Sequence, residues 1–227
     1  MRHSYRWLLV CVLAGCGSPH PDVMLHAENS PPNHLSEWGV LITQAGVLTP
    51  NDGVEIYDLN TPLFSDYAQK LRTIWTPQGT SVSYTEEDVL EFPVGTIISK
   101  TFYYEKAGAR GAVVRADVEP TRDDNGVSLD SHEIIETRLL VRYDSGWKAY
   151  PYVWNSEQSD ATFEIAGDLR SLNLVGEHDT QAMTYVVPDV NQCAGCHKPN
   201  HSLDALQPLG PQAWQLNRDD QLERWSE

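Results

Sequence analysis

The chain has 227 residues with 16 basic and 32 acidic side chains, a formal charge of −16. A field of that sign repels phosphate backbones and anionic headgroups, which excludes nucleic-acid binding and membrane docking through a basic surface. Four cysteines are too few for a disulfide-built scaffold, and the length suits one ordinary domain with an appendage.

Arg2 and Arg6 open the chain and are followed by the apolar run Trp7 to Ala14. The run is too short to span a bilayer and has the layout of an export signal. It ends in Leu13-Ala14-Gly15-Cys16, which resembles the lipobox of bacterial lipoproteins. That resemblance implies removal of residues 1–15 and a diacylglycerol on Cys16. With Gly17 and Ser18 next and no aspartate, it also implies an outer-membrane lipoprotein facing the periplasm. The alternative is an ordinary secretory signal with an incidental cysteine. Removal of the signal takes away two arginines and no acids, leaving 212 residues with 14 basic and 32 acidic, a formal charge of −18. Membrane contact is then made by the lipid. The acid excess suits a basic redox partner, or serves solubility alone.

Residues 16–34 hold Pro19, Pro21, Pro31 and Pro32 with almost no apolar periodicity, which predicts a flexible tether. A body over 35–188 follows. Asn33 or Ser36 can cap a short helix that includes Trp38 and Leu41, and the turn-rich run through Pro50, Asn51, Gly53 and Pro62 is expected over the surface of the core. Strands are predicted over Leu71 to Thr76, Thr96 to Tyr104, Ile134 to Tyr143, Trp147 to Trp154, Ala161 to Ala166 and Met183 to Val187. Asp144-Ser145-Gly146 reads as a three-residue hairpin loop with glycine at the positive-φ position. The expected fold class is therefore mainly β: an antiparallel, sandwich-like domain followed by a short helical C-terminal segment over 189–227. In that segment Asn191 caps a helical turn, prolines interrupt the chain, and a last helix runs from about Ala213 to Trp225.

The helical turn carries Cys193-Ala194-Gly195-Cys196-His197. Thiols three positions apart lie on one helical face, where they can add to the two vinyl groups along one edge of a haem. His197 then reaches the iron as the axial ligand. Two other readings compete. A thioredoxin-like dithiol sits just after a strand in a βαβ unit, a context missing here. A structural zinc site needs four protein ligands, and beyond His197 and His201 no second pair completes the set. Cys11 leaves with the signal and Cys16 is acylated, so Cys193 and Cys196 remain; export also favours one covalent haem c, which is attached outside the cytoplasm. No methionine follows His197. Met183, His178 and His132 are the candidate sixth ligands. Arg218 is a candidate partner for a haem propionate. Trp75, Trp147 and Trp154 can line a ligand groove or fill a core. No motif marks a catalytic residue of another class.

Several segments together resemble a family of bacterial exported dihaem c-type cytochromes of otherwise unknown role. They are Leu48-Thr49-Pro50-Asn51-Asp52-Gly53-Val54, Tyr57-Asp58-Leu59-Asn60-Thr61-Pro62-Leu63-Phe64-Ser65-Asp66-Tyr67-Ala68, Phe92-Pro93-Val94-Gly95-Thr96, Glu136-Thr137-Arg138-Leu139-Leu140-Val141, Tyr152-Val153-Trp154-Asn155 and Asn191-Gln192-Cys193. The resemblance covers nearly all of residues 35 to 225 and implies a β-rich body followed by haem segments, with Cys193, Cys196 and His197 as one haem site. The departure is that family members commonly continue beyond Leu216-Asn217-Arg218-Asp219 into a second CxxCH region. This sequence holds one, as a single-haem version or as part of a two-haem protein. The leading expectation is a lipid-anchored electron-transfer cytochrome. The alternatives are a haem-dependent oxidoreductase with an open iron, and a β-domain binding module whose CxxC is a dithiol or metal site.

Overall fold

Runs of β-branched and aromatic residues dominate the middle of the chain, and they form its central layer. The computed structural model describes residues 20–84, 89–116, 126–197, 206–218 and 221, with only the backbone for residues 193–196. After a 3-10 turn at Leu35–Trp38 come β1 (Leu41–Gln44), β2 (Val47–Pro50), β3 (Glu55–Ile56), β4 (Gln69–Trp75), β5 (Ile97–Glu105) and β6 (Ala112–Val114). Then follow β7 (Val127–Ser128), β8 (His132–Tyr143), β9 (Gly146–Trp154), β10 (Ala161–Phe163), β11 (Asp168–Val175), β12 (Thr180–Val187), α1 (Val190–His197) and α2 (Ala213–Leu216). The fold is mainly β and its sheets are antiparallel, apart from one parallel pairing of β6 with β11.

The central sheet has six strands in the order β10-β9-β8-β5-β4-β3, and two three-stranded sheets, β1-β2-β7 and β12-β11-β6, accompany it. Side chains alternate along a strand, so β5 sends Ile97 and Tyr103 to one face and Phe102 and Tyr104 to the other. The first face packs with Trp38, Leu41, Leu48 and Val127 from the 3-10 turn and the β1-β2-β7 sheet. The second packs with Val113, Leu172, Leu174 and Tyr185 of the β12-β11-β6 sheet. Covering both faces makes β5 buried almost throughout, instead of alternating buried and exposed. A third cluster lies at the other end of the second face, where Ile98 meets Tyr57, Phe92, Trp147 and Leu216. Between the second and third clusters lies a strip of the sheet that bears Lys70, Arg72, Lys100 and Arg138.

Several expectations need correcting. Residues 20–34, expected as tether, are held along the body: the hydroxyls of Tyr143, Tyr150 and Tyr152 donate to the carbonyls of His26, Glu28 and Pro32 at 2.9, 2.6 and 2.9 Å. Proline-rich chain offers carbonyls without matching N–H donors, and these half-buried phenols need acceptors. The first helix is a single 3-10 turn that ends at Gly39 with φ 65°, and Leu41 belongs to β1. An added Cβ at Gly39 would lie 2.6 Å from the Asp22 carbonyl oxygen, so glycine is required there. The run through Pro50 and Gly53 is not a surface cover: it includes the end of β2 and β3, and Asn51, Val54, Ile56 and Tyr57 are buried. The hairpin loop is two residues long, because Gly146 already pairs with Tyr143.

The C-terminal stretch is not a helical segment; two short helices are what it contains among the described residues. Asp189, not Asn191, caps α1, its Oδ1 accepting from the Asn191 and Gln192 N–H groups at 2.7 and 2.8 Å. Gln192 reciprocates on the Asp189 N–H at 2.9 Å, closing a capping box. The helix expected from Ala213 to Trp225 is interrupted after Leu216, at Asn217 and Arg218; Gln221 is helical again, and residues 219–220 and 222–225 lie outside the described residues. Asn60 accounts for that: its side-chain amide donates to the carbonyls of Trp214 and Asn217, and its backbone N–H donates to that of Gln215. Bonds from Asn60 compete for the carbonyls that a further turn of helix would use.

Candidate functional site

The CxxCH sequence occupies α1, which packs on β9 and reaches that strip of the central sheet. Positions 193 and 196 are one helical turn apart and so share a face of α1. His197 is the last residue of α1. Its backbone carbonyl accepts from the Gln207 N–H at 2.7 Å, and its ring Nδ1 lies 2.8 Å from the Gln207 carbonyl oxygen. Leu206 in turn bridges to Trp147 of β9. A carbonyl can only accept, so Nδ1 carries the hydrogen and Nε2 of the neutral ring keeps its lone pair. Burial lowers the proton affinity of the imidazole, against the opposing pull of the Gln207 carbonyl; the fields of Lys100 and Arg138 lower it further.

His197 opens into a cavity of about 260 Å³. One part of its wall is apolar, with Leu63, Phe64, Phe102 and Leu140, and the other is basic, with Lys70, Arg72, Lys100 and Arg138. Register explains the basic part. Arg72 stands opposite Lys100 and Lys100 opposite Arg138, so three cations form a row across β4, β5 and β8. Lys70 lies two residues from Arg72 and therefore on the same face. Like charges directly opposite one another in a sheet are destabilising. Glu136 relieves part of the repulsion: it is fully buried and accepts from Arg138 Nε and Nη2 at 2.7 and 2.5 Å and from the Tyr185 hydroxyl at 2.6 Å. Lys70 Nζ donates to the Leu63 carbonyl at 2.8 Å. Arg138 stacks over the Phe102 ring at 4.4 Å. Lys100 Nζ has no hydrogen-bond or ion-pair acceptor among the described residues. Burial and then the neighbouring cations Arg72, Arg138 and Lys70 pull the Lys100 pKa down to about 7. Burial, followed by Arg72 and Arg138, brings Lys70 to about 8.

No family model, no curated protein and no solved structure matches the chain.

The other sequence-predicted residues are dispersed. His132 has its ring against Tyr103 in the core on the opposite face of the sheet. His178 is exposed beside Glu177 at 3.7 Å, and Met183 packs on the second cluster. None of the three lines the cavity that holds His197. Trp154 and Trp147 are core residues, and Trp75 packs partly buried against the first cluster. Arg218 follows α2 and is not in the cavity wall. The four cations that are in it carried no local motif; the available clue was that 72, 100 and 138 fall on one face of three predicted strands, with 70 just ahead of the first. Among the described residues no three histidine, cysteine or carboxylate groups gather to hold a metal ion. Cys16, His201 and the thiols of Cys193 and Cys196 lie outside the described residues or side chains. No helix among the described residues is long and apolar enough to cross a membrane.

The arrangement suits a haem in two respects: a neutral imidazole with its far nitrogen fixed, and an amphipathic wall matching a group with an apolar ring and two carboxylates.

Proposed function

We propose that this chain is an exported c-type cytochrome of the dihaem-like family it resembles, anchored by lipid on Cys16 and carrying one haem on Cys193 and Cys196. The observation that carries the reading is His197 at the end of the CxxCH helix, with Nδ1 tied to the Gln207 carbonyl at 2.8 Å. That bond selects the tautomer and aims Nε2 as an axial ligand. Cys193 and Cys196 would hold the haem through thioether bonds to its two vinyl groups, and His197 would coordinate its iron. When bound, the haem supplies an iron that changes between ferrous and ferric states by one electron. The chain's own residues do the rest. The α1 cap at Asp189 fixes the helix, Gln207 fixes the imidazole, and Leu63, Phe64, Phe102 and Leu140 give the cavity its apolar part. The central sheet is the scaffold, and the acidic surface suits a basic redox partner in the cell envelope.

One observation favours a second reading, a haem-dependent oxidoreductase. An apolar cavity of about 500 Å³, lined by Tyr57, Ile74, Val82, Leu90, Phe92 and Leu216, shares Tyr57 with the cavity of His197. A small apolar molecule held there would lie beside the haem. Expression with the haem-maturation machinery tests both readings. A pigment that stays with the chain through denaturing electrophoresis, with reversible one-electron reduction, is expected for the cytochrome. Spectra that shift on adding cyanide or carbon monoxide point to an open iron and the oxidoreductase. A colourless chain overturns both.

A further inference from the structure

The row Arg72–Lys100–Arg138 is the least explained feature of the fold. A chain with twice as many acids as bases places three cations side by side on adjacent strands and a fourth, Lys70, on the same face. Adjacent strands are about 4.8 Å apart, so the row runs for about 10 Å. Glu136 acts on Lys100 and Asp66 acts on Lys70. Glu136 is committed to Arg138 and Tyr185. At the centre of the row the Lys100 side chain lacks an acceptor among the described residues. Apolar clusters close the strip at both ends, through Ile98 on one side and Phe102 on the other. A partly buried cation row between apolar walls is stabilised by an anion of matching length, and two linked carboxylates match it better than one.

We propose that Arg72, Lys100 and Arg138, with Lys70, form a carboxylate-binding site that receives both propionates of the haem attached on α1. The source of the carboxylates rests on the haem reading; the site itself rests on the strand register. Propionates at the row direct the polar edge of the porphyrin toward the sheet, while the thiols hold its vinyl edge at α1. Arg138 is then shared between Glu136 and a propionate, and Lys100 gains the acceptor it lacks among the described residues. These are positioning residues for the haem; none of them touches the iron.

The test uses the full chain with Cys193→Ala and Cys196→Ala, so that attachment is removed and recognition alone is measured. Protoporphyrin IX and its dimethyl ester are titrated against tryptophan fluorescence. The free acid is expected to bind ~10-fold or more tightly than the ester, a margin that shrinks toward unity in Arg72→Met/Lys100→Met and persists in Lys148→Met. Lys148 serves as control because it lies on the opposite face, paired with Glu28 at 3.1 Å. Circular dichroism checks that the methionine variants keep the fold. Glutarate is titrated in parallel. Binding of glutarate that depends on Arg72 and Lys100, without discrimination between porphyrin and ester, supports the carboxylate site but assigns it to a free small acid. Equal binding of porphyrin and ester together with no glutarate binding overturns the site. Haem attachment in the unmutated chain is scored separately by mass, so failure of the cytochrome reading is distinguishable from failure of the cation row.

Discussion

At the scale of single residues, two hydrogen bonds carry most of the specific argument. The first ties His197 Nδ1 to the Gln207 carbonyl at 2.8 Å. A ring fixed in this way can present Nε2 to an iron, whereas a freely rotating imidazole would divide its time among solvent contacts. His197→Ala is expected to keep the covalent haem, since the thiols remain, and to lose the low-spin visible spectrum. An unchanged spectrum in that variant would assign the axial ligand elsewhere. The second bond runs from the buried Trp38 indole N–H to the Tyr152 hydroxyl at 2.6 Å. Trp38 is fully buried in the first cluster, so Trp38→Phe leaves the phenol oxygen short of a donor as well as opening space. A loss of about 1–3 kcal/mol is expected, read from urea unfolding at pH 7.

At the scale of elements, the strands that bring the cations together are strained by them. The folded pKa of Lys100 is about 7 against an ordinary value of 10.5. Between those limits the unfolded chain binds more protons than the folded one, so stability rises with pH across the window. In the Cys193→Ala/Cys196→Ala protein, the urea midpoint should be higher at pH 9.5 than at pH 7. Lys100→Met should raise the pH 7 midpoint and flatten the slope, leaving the smaller contribution of Lys70. A slope that survives Lys100→Met unchanged would show that the row is not the source. Asn60→Ala tests the other end of the site: with the Trp214 and Asn217 carbonyls released, a loss of about 0.5–2 kcal/mol is expected in the same assay. Sequence made some of these elements legible and hid others. β5, β8 and β9 stand out because Ile97 to Tyr104, Ile134 to Tyr143 and Trp147 to Trp154 are long runs rich in β-branched, aliphatic and aromatic residues. β11 was missed because Asp168, Arg170, Ser171 and Asn173 interrupt its apolar residues, although Leu172 and Leu174 are buried. The β1–β2 hairpin was missed because its strands are four residues each. The true end of α2 depends on Asn60, more than 150 positions away in sequence, and nothing local announces it.

At the scale of the whole molecule, charge and topology act together. A formal charge of −16 sets the outer field, and the fold gathers four cations onto one strip of sheet beneath α1. The CxxCH motif was visible in the sequence because its chemistry is local, three residues within one helical turn. The cation row was not, because Arg72, Lys100 and Arg138 become neighbours only when β4, β5 and β8 pair. The central claim joins the two: a haem covalently held on α1, coordinated by His197. Intact mass with a visible spectrum tests it most directly, on the chain expressed with haem-maturation machinery beside its Cys193→Ala/Cys196→Ala variant. The account predicts one added haem and a c-type spectrum in the former and neither in the latter. An unmodified, colourless chain carrying a Cys193–Cys196 disulfide or free thiols would contradict it.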